Sequence, residues 1–239
     1  MIWKQVYSFV KKGCCSLLSS LGDLLFPPVC LVCGRSLVRG ERYLCTACVA
    51  DFPFSDETYA TGTKVLENFD ENCRPESLYS LFYYSKYSRY KNLIYTIKYH
   101  SHKQLGIYLG RMLGEHIAGI CRADCIVPIP LHPKRERERG FNQSYQIALG
   151  VSEVLGIEIL DDVVFRVHNN ISQTGKSVSD RLKNVENIFE LRNSQKIRGR
   201  HILLLDDVIT TGATIASCLR VLAQEEDVKF SLGCLAQTV

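Results

Sequence analysis

The sequence lacks the features that would place the protein in a membrane, on a polyanion or among disulfide-rich secreted proteins. None of its apolar runs reaches the roughly 18 residues that a membrane span requires. Its net charge is only +4, from 29 basic and 25 acidic residues, so no global field attracts nucleic acid. The cysteine count is odd, at 11, and the first residues do not have the order of a secretory signal. We therefore expect a cytoplasmic protein with no transmembrane helix.

The N-terminal segment "MIWKQVYSFVKKGCCSLLSSLGDLLF" has apolar residues at helical spacing. Lys11, Lys12 and Asp23 interrupt this pattern. It predicts an amphipathic docking helix, with an anchor on a membrane surface as the alternative. The length of 239 residues exceeds what one small domain needs, so we expect a main domain and a small accessory module.

Four cysteines form two closely spaced pairs. The segment "CLVCGRSLVRGERYLCTAC" contains two C-x2-C pairs, Cys30 with Cys33 and Cys45 with Cys48. Eleven residues separate the two pairs. Two such pairs can present four thiolates tetrahedrally to one Zn²⁺ ion, and four protein ligands leave no open position for a substrate. The spacing therefore predicts a structural zinc site. An iron ion on the same sulfurs, redox dithiols and plain buried cysteines are the alternatives.

The four cysteines indicate where the accessory module lies. We expect residues 1–60 to combine the N-terminal helix with a zinc-ribbon-like module, which is too short to be stable without its metal. The other cysteines have no ligand partner at useful spacing and are expected to pack as small apolar side chains. They are Cys14, Cys15, Cys73, Cys121, Cys125, Cys218 and Cys234.

Apolar runs alternate with helical patterns from about residue 75 onward, which is typical of an α/β domain. The runs "SLYSLFYY", "CIVPIP" and "HILLLDD" are predicted strands, and "RYKNLIYTIKY", "LGIYLGRMLGEHIAGI" and "SYQIALGVSEVLG" are predicted helices. The segment "LHPKRERERGFNQ" is predicted to be a long polar loop. Right-handed crossovers would join the strands into a parallel sheet flanked by helices over residues 75–239.

The stretch "LLLDDVITTGAT" places two acids at the end of a strand and small residues after them. The strand is apolar on both faces, as a central parallel strand must be, and open α/β sheets bind ligands at the carboxyl ends of their strands. A loop of small residues lets amides and hydroxyls donate to a phosphate. Asp206 and Asp207 instead suit sugar hydroxyls or a cation, so the combination indicates a ribose 5-phosphate. The alternative is that the acids only cap the next helix.

The same stretch resembles the loop that binds phosphoribosyl diphosphate (PRPP) in type I phosphoribosyltransferases. Over nearly the whole chain, "LFPPVCLVCG", "IVPIPLHPKRERERGFNQS", "QTGKSVSDRLKNV" and that loop follow the order found in ComF-type proteins, a phosphoribosyltransferase-like family linked to competence and DNA uptake. Many members have an apolar residue where this chain has Lys176. The resemblance implies a type I phosphoribosyltransferase fold with an N-terminal zinc ribbon.

The resemblance also implies roles for individual residues. Asp206 and Asp207 would bind the ribose hydroxyls of PRPP. The residues that follow would bind its 5-phosphate, and these are Thr210, Thr211, Gly212, Ala213 and Thr214. The loop after "CIVPIP" would hold the diphosphate through His132, Lys134 and Arg135, and its basic excess supports anion binding independently. The alternatives are a solvated face of alternating charge and, for His132, a role as a loop anchor.

The hydroxyl-rich segment "SQTGKSVSDRLKN" would close over bound PRPP and exclude water. Arg181 within it is a candidate catalytic residue together with the two acids, and an ion pair with Asp180 or Glu186 is the alternative. Phosphoribosyl transfer passes through a cationic sugar and a departing diphosphate, so it needs Mg²⁺ and donors to the leaving group. It needs no protein nucleophile, and the sequence contains no credible Ser-His-Asp or Cys-His set.

Two functions are therefore compatible with the sequence. The first is a phosphoribosyltransferase, which is a glycosyltransferase that moves the ribosyl 5-phosphate of Mg-PRPP to an unidentified acceptor. The second is a non-catalytic competence protein that binds single-stranded DNA or DNA-uptake partners and keeps the PRPP pocket as a sensor or relic. A stretch of tyrosines and cations favours the second, because aromatic rings stack on bases. It comprises Tyr83, Tyr84, Lys86, Tyr87, Arg89, Tyr90, Lys91, Tyr95, Lys98 and Tyr99. We expect most of these tyrosines to pack in the core or at the interface with the zinc module.

Overall fold

The computed structural model describes residues 27–55, 69, 71–85, 87–99, 102–167 and 188–238. The chain divides into two units, Met1–Phe52 and Pro53–Val239. The predicted N-terminal helix and the segment with Lys176 and Arg181 lie outside the described residues. Among the helices that the structure does describe, none is long and apolar enough to cross a membrane.

Five parallel strands form the main sheet of the second unit, and two short strands form a separate antiparallel ribbon. In chain order the strands are β1 (Ser77–Tyr84), β2 (Cys125–Pro128), β3 (Glu158–Ile159), β4 (Val164–Arg166), β5 (Phe189–Leu191), β6 (His201–Ile209) and β7 (Lys229–Thr238). The main sheet has the order β1-β7-β6-β2-β3, and β4 pairs with β5. Because all five strands are parallel, they end at one side of the sheet, which we call the carboxyl edge.

Within the described residues, α-helices follow three of these strands, β1, β2 and β6. The helices are α1 (Thr46–Ala50) in the first unit and α2 (Lys91–Tyr99), α3 (Lys103–Ile117), α4 (Pro133–Arg139), α5 (Gln143–Leu155) and α6 (Ala213–Leu222) in the second. The residues at the two ends of α5 explain where this helix begins and ends. The side chain of Asn142 accepts a hydrogen bond from the backbone N–H of Ser144 at the start, and Gly156 in the left-handed region ends the helix as predicted.

The segment that was predicted to be a long polar loop contains α4. His132 is its N-cap, with Nδ1 accepting from the N–H of Lys134 at 3.2 Å, and Pro133 occupies the first helical turn. Gly140 ends the helix in the left-handed region. The loop prediction was wrong because α4 buries no residue, so its run of alternating charges shows no apolar period. Only the local caps identify the helix.

Strand β6 lies inside the main sheet and is covered on both faces. Its residues Ile202, Leu203, Leu204 and Leu205 are each exposed by 1% or less. This burial agrees with the continuous apolar run that a central parallel strand requires. The predicted fold class is confirmed, since a parallel sheet with flanking helices is combined with a separate N-terminal module of four cysteines.

Helices α3 and α5 approach each other closely through glycines. A Cβ atom added at Gly110 would overlap the backbone carbonyl of Ile147, and one added at Gly150 would overlap the carbonyl of Ile107. These neighbours are backbone atoms in helices, so they cannot move aside as a flexible side chain would. The glycines therefore set the spacing of the helix pair.

We predict that Gly110→Ala lowers the free energy of unfolding of the second unit by about 1–3 kcal/mol, because the added methyl group forces the two helices apart. Chemical denaturation measures this change. The control is Gln104→Ala, since Gln104 is exposed on the same helix and its loss should change the free energy by less than about 0.5 kcal/mol. Equal stability of the two variants would contradict the close packing of α3 on α5.

Candidate functional site

The two predicted acids lie at the carboxyl edge, within the last part of β6. Asp206 pairs in register with Cys234 of β7, and the strand continues to Ile209. The helix α6 begins only after Gly212, which is its N-cap and has a φ of +74°. The alternative that Asp206 and Asp207 cap this helix is therefore wrong.

Asp206 accepts its hydrogen bonds from neutral groups. Its Oδ1 accepts hydrogen bonds from the Ser144 hydroxyl at 3.0 Å and from the backbone N–H of Asp207 at 2.8 Å. Burial and the neighbouring charge of Asp207 raise the pKa of Asp206 to about 7, against the lowering effect of these donors and of Lys98. Ser144 lies in the first turn of α5, so the start of that helix positions the carboxyl group of Asp206.

Asp207 has a different partner. Its Oδ2 lies 3.2 Å from the Nζ atom of Lys98 in the last turn of α2, and the two side chains are 13% and 25% exposed. Neighbouring residues of a strand point to opposite faces, which explains why two adjacent acids meet different helices. The sequence pattern groups Lys98 with the tyrosines and cations of the tyrosine-rich stretch. The structure instead brings it to the acid pair, the name we give to Asp206 and Asp207.

A further cation, Arg166 at the end of β4, was missed by the sequence analysis. Burial lowers the pKa of Arg166, the nearby positive charge of Arg135 lowers it further, and the charge of Asp206 acts in the opposite direction. Its guanidinium lies 5.6 Å from the ring centroid of Phe189, and its buried Nε has no hydrogen-bond partner in the described part of the chain. No sequence motif surrounds Arg166, so its position near Asp206 is evident only from the structure, in which β4 pairs with β5.

The residues predicted to hold a diphosphate lie on or beside α4. His132 caps this helix, which fits the role of a loop anchor, while Lys134 and Arg135 are exposed in its first turns. The electrostatic effect of Arg135 on Arg166 places these two cations near each other. Arg181 lies outside the described residues, and its catalytic role remains a prediction.

The first unit contains the four cysteines of the predicted metal centre. Their Sγ atoms all lie within 4.8 Å of one another, and those of Cys33 and Cys45 are 3.7 Å apart. Tetrahedral zinc with Zn–S bonds of about 2.3 Å separates its sulfurs by about 3.8 Å, so the arrangement fits this ion. Cys30, Cys45 and Cys48 are buried. We call this arrangement the four-cysteine site.

Backbone and carboxylate contacts hold the four-cysteine site in place. Burial alone would raise the pKa of the Cys30 thiol, but N–H groups of Cys33, Cys45 and Val32 lower it to about 6. The carboxylate of Glu41 accepts hydrogen bonds from the N–H and the hydroxyl of Thr46, directly after Cys45. The loop between the two cysteine pairs is thereby tied to the start of α1.

The cysteines outside the four-cysteine site pack mainly as apolar side chains, as predicted. Cys73, Cys125, Cys218 and Cys234 are buried, and Cys121 is partly exposed. Burial raises the pKa of Cys125 to about 11 and raises those of Cys218 and Cys234 as well, so these thiols stay protonated. Cys14 and Cys15 lie outside the described residues.

Comparison with known proteins adds to this geometry. The model of the double zinc ribbon domain matches residues 21–61, a range that contains the four ligand cysteines. The DNA utilization protein YhgH of Escherichia coli strain K12 is 27% identical over 218 residues, which are 88% of this chain and 91% of that protein. Competence protein F of Haemophilus influenzae is 39% identical over 107 residues, 43% and 47% of the two chains. The chain is a homologue of these DNA utilization and competence proteins.

Two other comparisons concern a shorter part of the chain. Competence protein ComFC of Bacillus subtilis is 38% identical over 104 residues, which cover 42% of this chain and 38% of that one. A solved structure described as the allosteric regulatory enzyme of purine biosynthesis is 21% identical and superposes with a TM-score of 0.35 over 52% of this chain and 25% of that one.

The tyrosine-rich stretch of the chain is more exposed than we expected. Tyr90 is buried, but Tyr87, Tyr95 and Tyr99 are exposed by 96%, 55% and 63%. Tyr83 and Tyr84 are half-buried, so most of these tyrosines do not pack in the core. Lys86 lies outside the described residues. The rings of Tyr95 and Tyr99 lie 4.7 Å apart on the outer side of α2.

We predict that the purified protein carries about one zinc ion per chain and that Cys45→Ser loses it, because three thiolates cannot complete the tetrahedral site. Residues 27–52 should then become sensitive to proteolysis, while the denaturation of the second unit is unchanged. Elemental analysis and limited proteolysis measure the two effects. Cys121→Ser is the control and should keep its zinc. Zinc retained in full by Cys45→Ser would contradict the assignment of ligands.

Proposed function

We propose that the second unit binds the Mg²⁺ complex of PRPP at the carboxyl edge and transfers its ribosyl 5-phosphate to an unidentified acceptor in the cytoplasm. The observation that carries this proposal is the order of groups along β6. A central buried strand ends in two carboxylates, and small residues lead from it through a left-handed glycine into α6. The two carboxylates suit the cation and the sugar of one ligand, and the small residues before α6 suit its phosphate.

The loop before α6 supports the phosphate end of the proposal. Thr210 and Thr211 are exposed, and Gly212 is buried with a left-handed backbone. The first N–H groups of a helix have no partner within it and carry a partial positive charge, so they bind phosphate oxygens well. The side chains of Ala213 and Thr214 at the start of α6 are small enough to allow a close approach.

The acid pair supports the sugar end. Carboxylate oxygens are the ligands that Mg²⁺ prefers and also accept hydrogen bonds from vicinal hydroxyls, so Asp206 and Asp207 fit both groups. When bound, Mg²⁺ would neutralise charge on the departing diphosphate. Asp206 and Asp207 would orient the ribose so that the acceptor reaches its reacting carbon. In this proposal, Arg166, Arg135 and Lys134 would stabilise the negative charge of the leaving group.

Calorimetry with Mg-PRPP tests the proposed function directly. Asp206→Asn combined with Asp207→Asn keeps the size of both side chains and removes their charges. We expect the affinity for Mg-PRPP to fall at least about tenfold, since each charge-assisted hydrogen bond contributes roughly 1.5–3 kcal/mol. Gly212→Val should have a similar effect, because a branched side chain is strained at a φ of +74° and would fill the space for the phosphate.

The control for both variants is Asp227→Asn, an exposed acid before the amino end of β7 that should leave the affinity unchanged. Zinc content and circular dichroism confirm that each variant is folded. If the double Asn variant binds Mg-PRPP as tightly as the parent, the acid pair does not contact the ligand and the proposed site is wrong. Release of diphosphate across a panel of nucleobases and amines then searches for the acceptor.

A second function, binding of single-stranded DNA, is favoured by the outer side of α2. Lys91, Tyr95 and Tyr99 follow one another at intervals of four residues and therefore share one face of the helix. Exposed aromatic rings beside a cation stack on bases and contact the phosphate backbone. Relatives named for competence and for DNA utilization make this ligand a reasonable one for the chain.

We predict that Tyr95→Ala with Tyr99→Ala weakens binding of a fluorescent oligothymidylate about tenfold or more, because each stacked base contributes roughly 1–3 kcal/mol. Fluorescence anisotropy at two salt concentrations measures the affinity and its salt dependence. Tyr95→Phe with Tyr99→Phe is the matched control, since it retains the rings and should bind as the parent does. Undetectable binding by the parent, or equal binding by the Ala pair, would exclude this surface.

A further inference from the structure

The ion pair between Lys98 and Asp207 connects α2 to the acid pair at the carboxyl edge. The Nζ and Oδ2 atoms lie 3.2 Å apart, and both side chains are largely buried. Lys98 also acts on Asp206, whose negative charge it favours. It is thus the ion-pair partner of Asp207 and has a weaker electrostatic effect on Asp206. Lys91, one of the other cations of α2, is exposed instead.

The position of Lys98 creates a problem for a divalent cation that arrives alone. Such an ion would have to approach Asp207 while the ammonium group lies at hydrogen-bonding distance from the same carboxylate. Like charges repel strongly where water is partly excluded. If the ammonium group moved away without a new partner, a half-buried charge would be left uncompensated, which is costly as well.

A cation that arrives with a phosphorylated ligand removes this problem. The anionic oxygens of the ligand give the ammonium group a new partner close to the old one. A lysine suits such an exchange, because its charge lies on a flexible stem and donates in three directions. The carboxylate is then available to the cation, and no charge remains unpaired.

We propose that Lys98 makes the acid pair select a divalent cation bound to a phosphate-bearing ligand over the free cation. This inference rests on the proposed function for the identity of the site, and it adds a specificity-determining residue that no motif of the sequence indicated. Lys98 exchanges its carboxylate partner for an anionic oxygen of the ligand. Before the ligand binds, the ion pair therefore holds the acid pair in a form that rejects the metal alone.

Titration with Mn²⁺, alone and with inorganic diphosphate, tests the inference without any turnover. For Lys98→Met, which keeps the apolar stem, we expect free Mn²⁺ to bind at least about threefold more tightly and manganese diphosphate at least about tenfold more weakly. The opposite signs distinguish selection from a purely structural role, which would move both affinities in one direction. Lys98→Arg retains the charge and should restore most of the discrimination. Lys229→Met changes an exposed lysine at the amino end of β7 and should behave as the parent does.

The outcomes separate this inference from the proposed function. If the parent binds Mg-PRPP through the acid pair but Lys98→Met leaves the ratio of the two manganese affinities unchanged, the inference alone is wrong. If the parent discriminates through Lys98 but does not bind PRPP, the proposed function fails and the inference stands. The inference is overturned if Lys98→Met shifts both manganese affinities in one direction. It is also overturned if the parent does not bind manganese diphosphate, or if both Lys98→Met and a second variant, Lys98→Gln, unfold.

Discussion

The burial of two adjacent carboxylates at the end of β6 is the constraint on which the second unit depends. Because strand geometry sends their side chains to opposite faces, a single partner cannot compensate both. Asp206 is satisfied by Ser144 and a backbone N–H, whereas Asp207 is paired with Lys98. Helices α5 and α2 must therefore bring these partners to the carboxyl edge. A fold that served only stability would more simply place apolar residues at these positions.

Much of the architecture could be predicted from the sequence because local patterns decide it. The strand β1 coincides with "SLYSLFYY", and Gly156 ends α5 because a helix termination needs a left-handed residue there. The spacing of the cysteines indicated the four-cysteine site, since two short turns bring four sulfurs together without help from the rest of the chain. The position of the acid pair followed from the apolar run of β6 and from the rule that parallel strands end at one edge.

The remaining parts of the site depend on tertiary contacts that no local pattern encodes. Lys98 looked like one cation among several in the tyrosine-rich stretch, and only the packing of α2 brings it to Asp207. Arg166 belongs to a three-residue strand with no motif around it. The helix α4 was missed because its residues are solvated on all sides. The exposure of Tyr95 and Tyr99 was also not predicted, since apolar periodicity does not distinguish an aromatic ring in the core from one on the surface.

The most direct test of the account follows the backbone amide signals of both units by nuclear magnetic resonance during a titration with Mg-PRPP. The account predicts that the largest shifts fall on residues 206–214, with smaller shifts at Lys98 and Arg166, and that the four-cysteine site in the first unit is unaffected. Shifts concentrated on the outer side of α2, at Tyr95 and Tyr99, or no shifts at saturating Mg-PRPP, would contradict the assignment of the carboxyl edge as the ligand site.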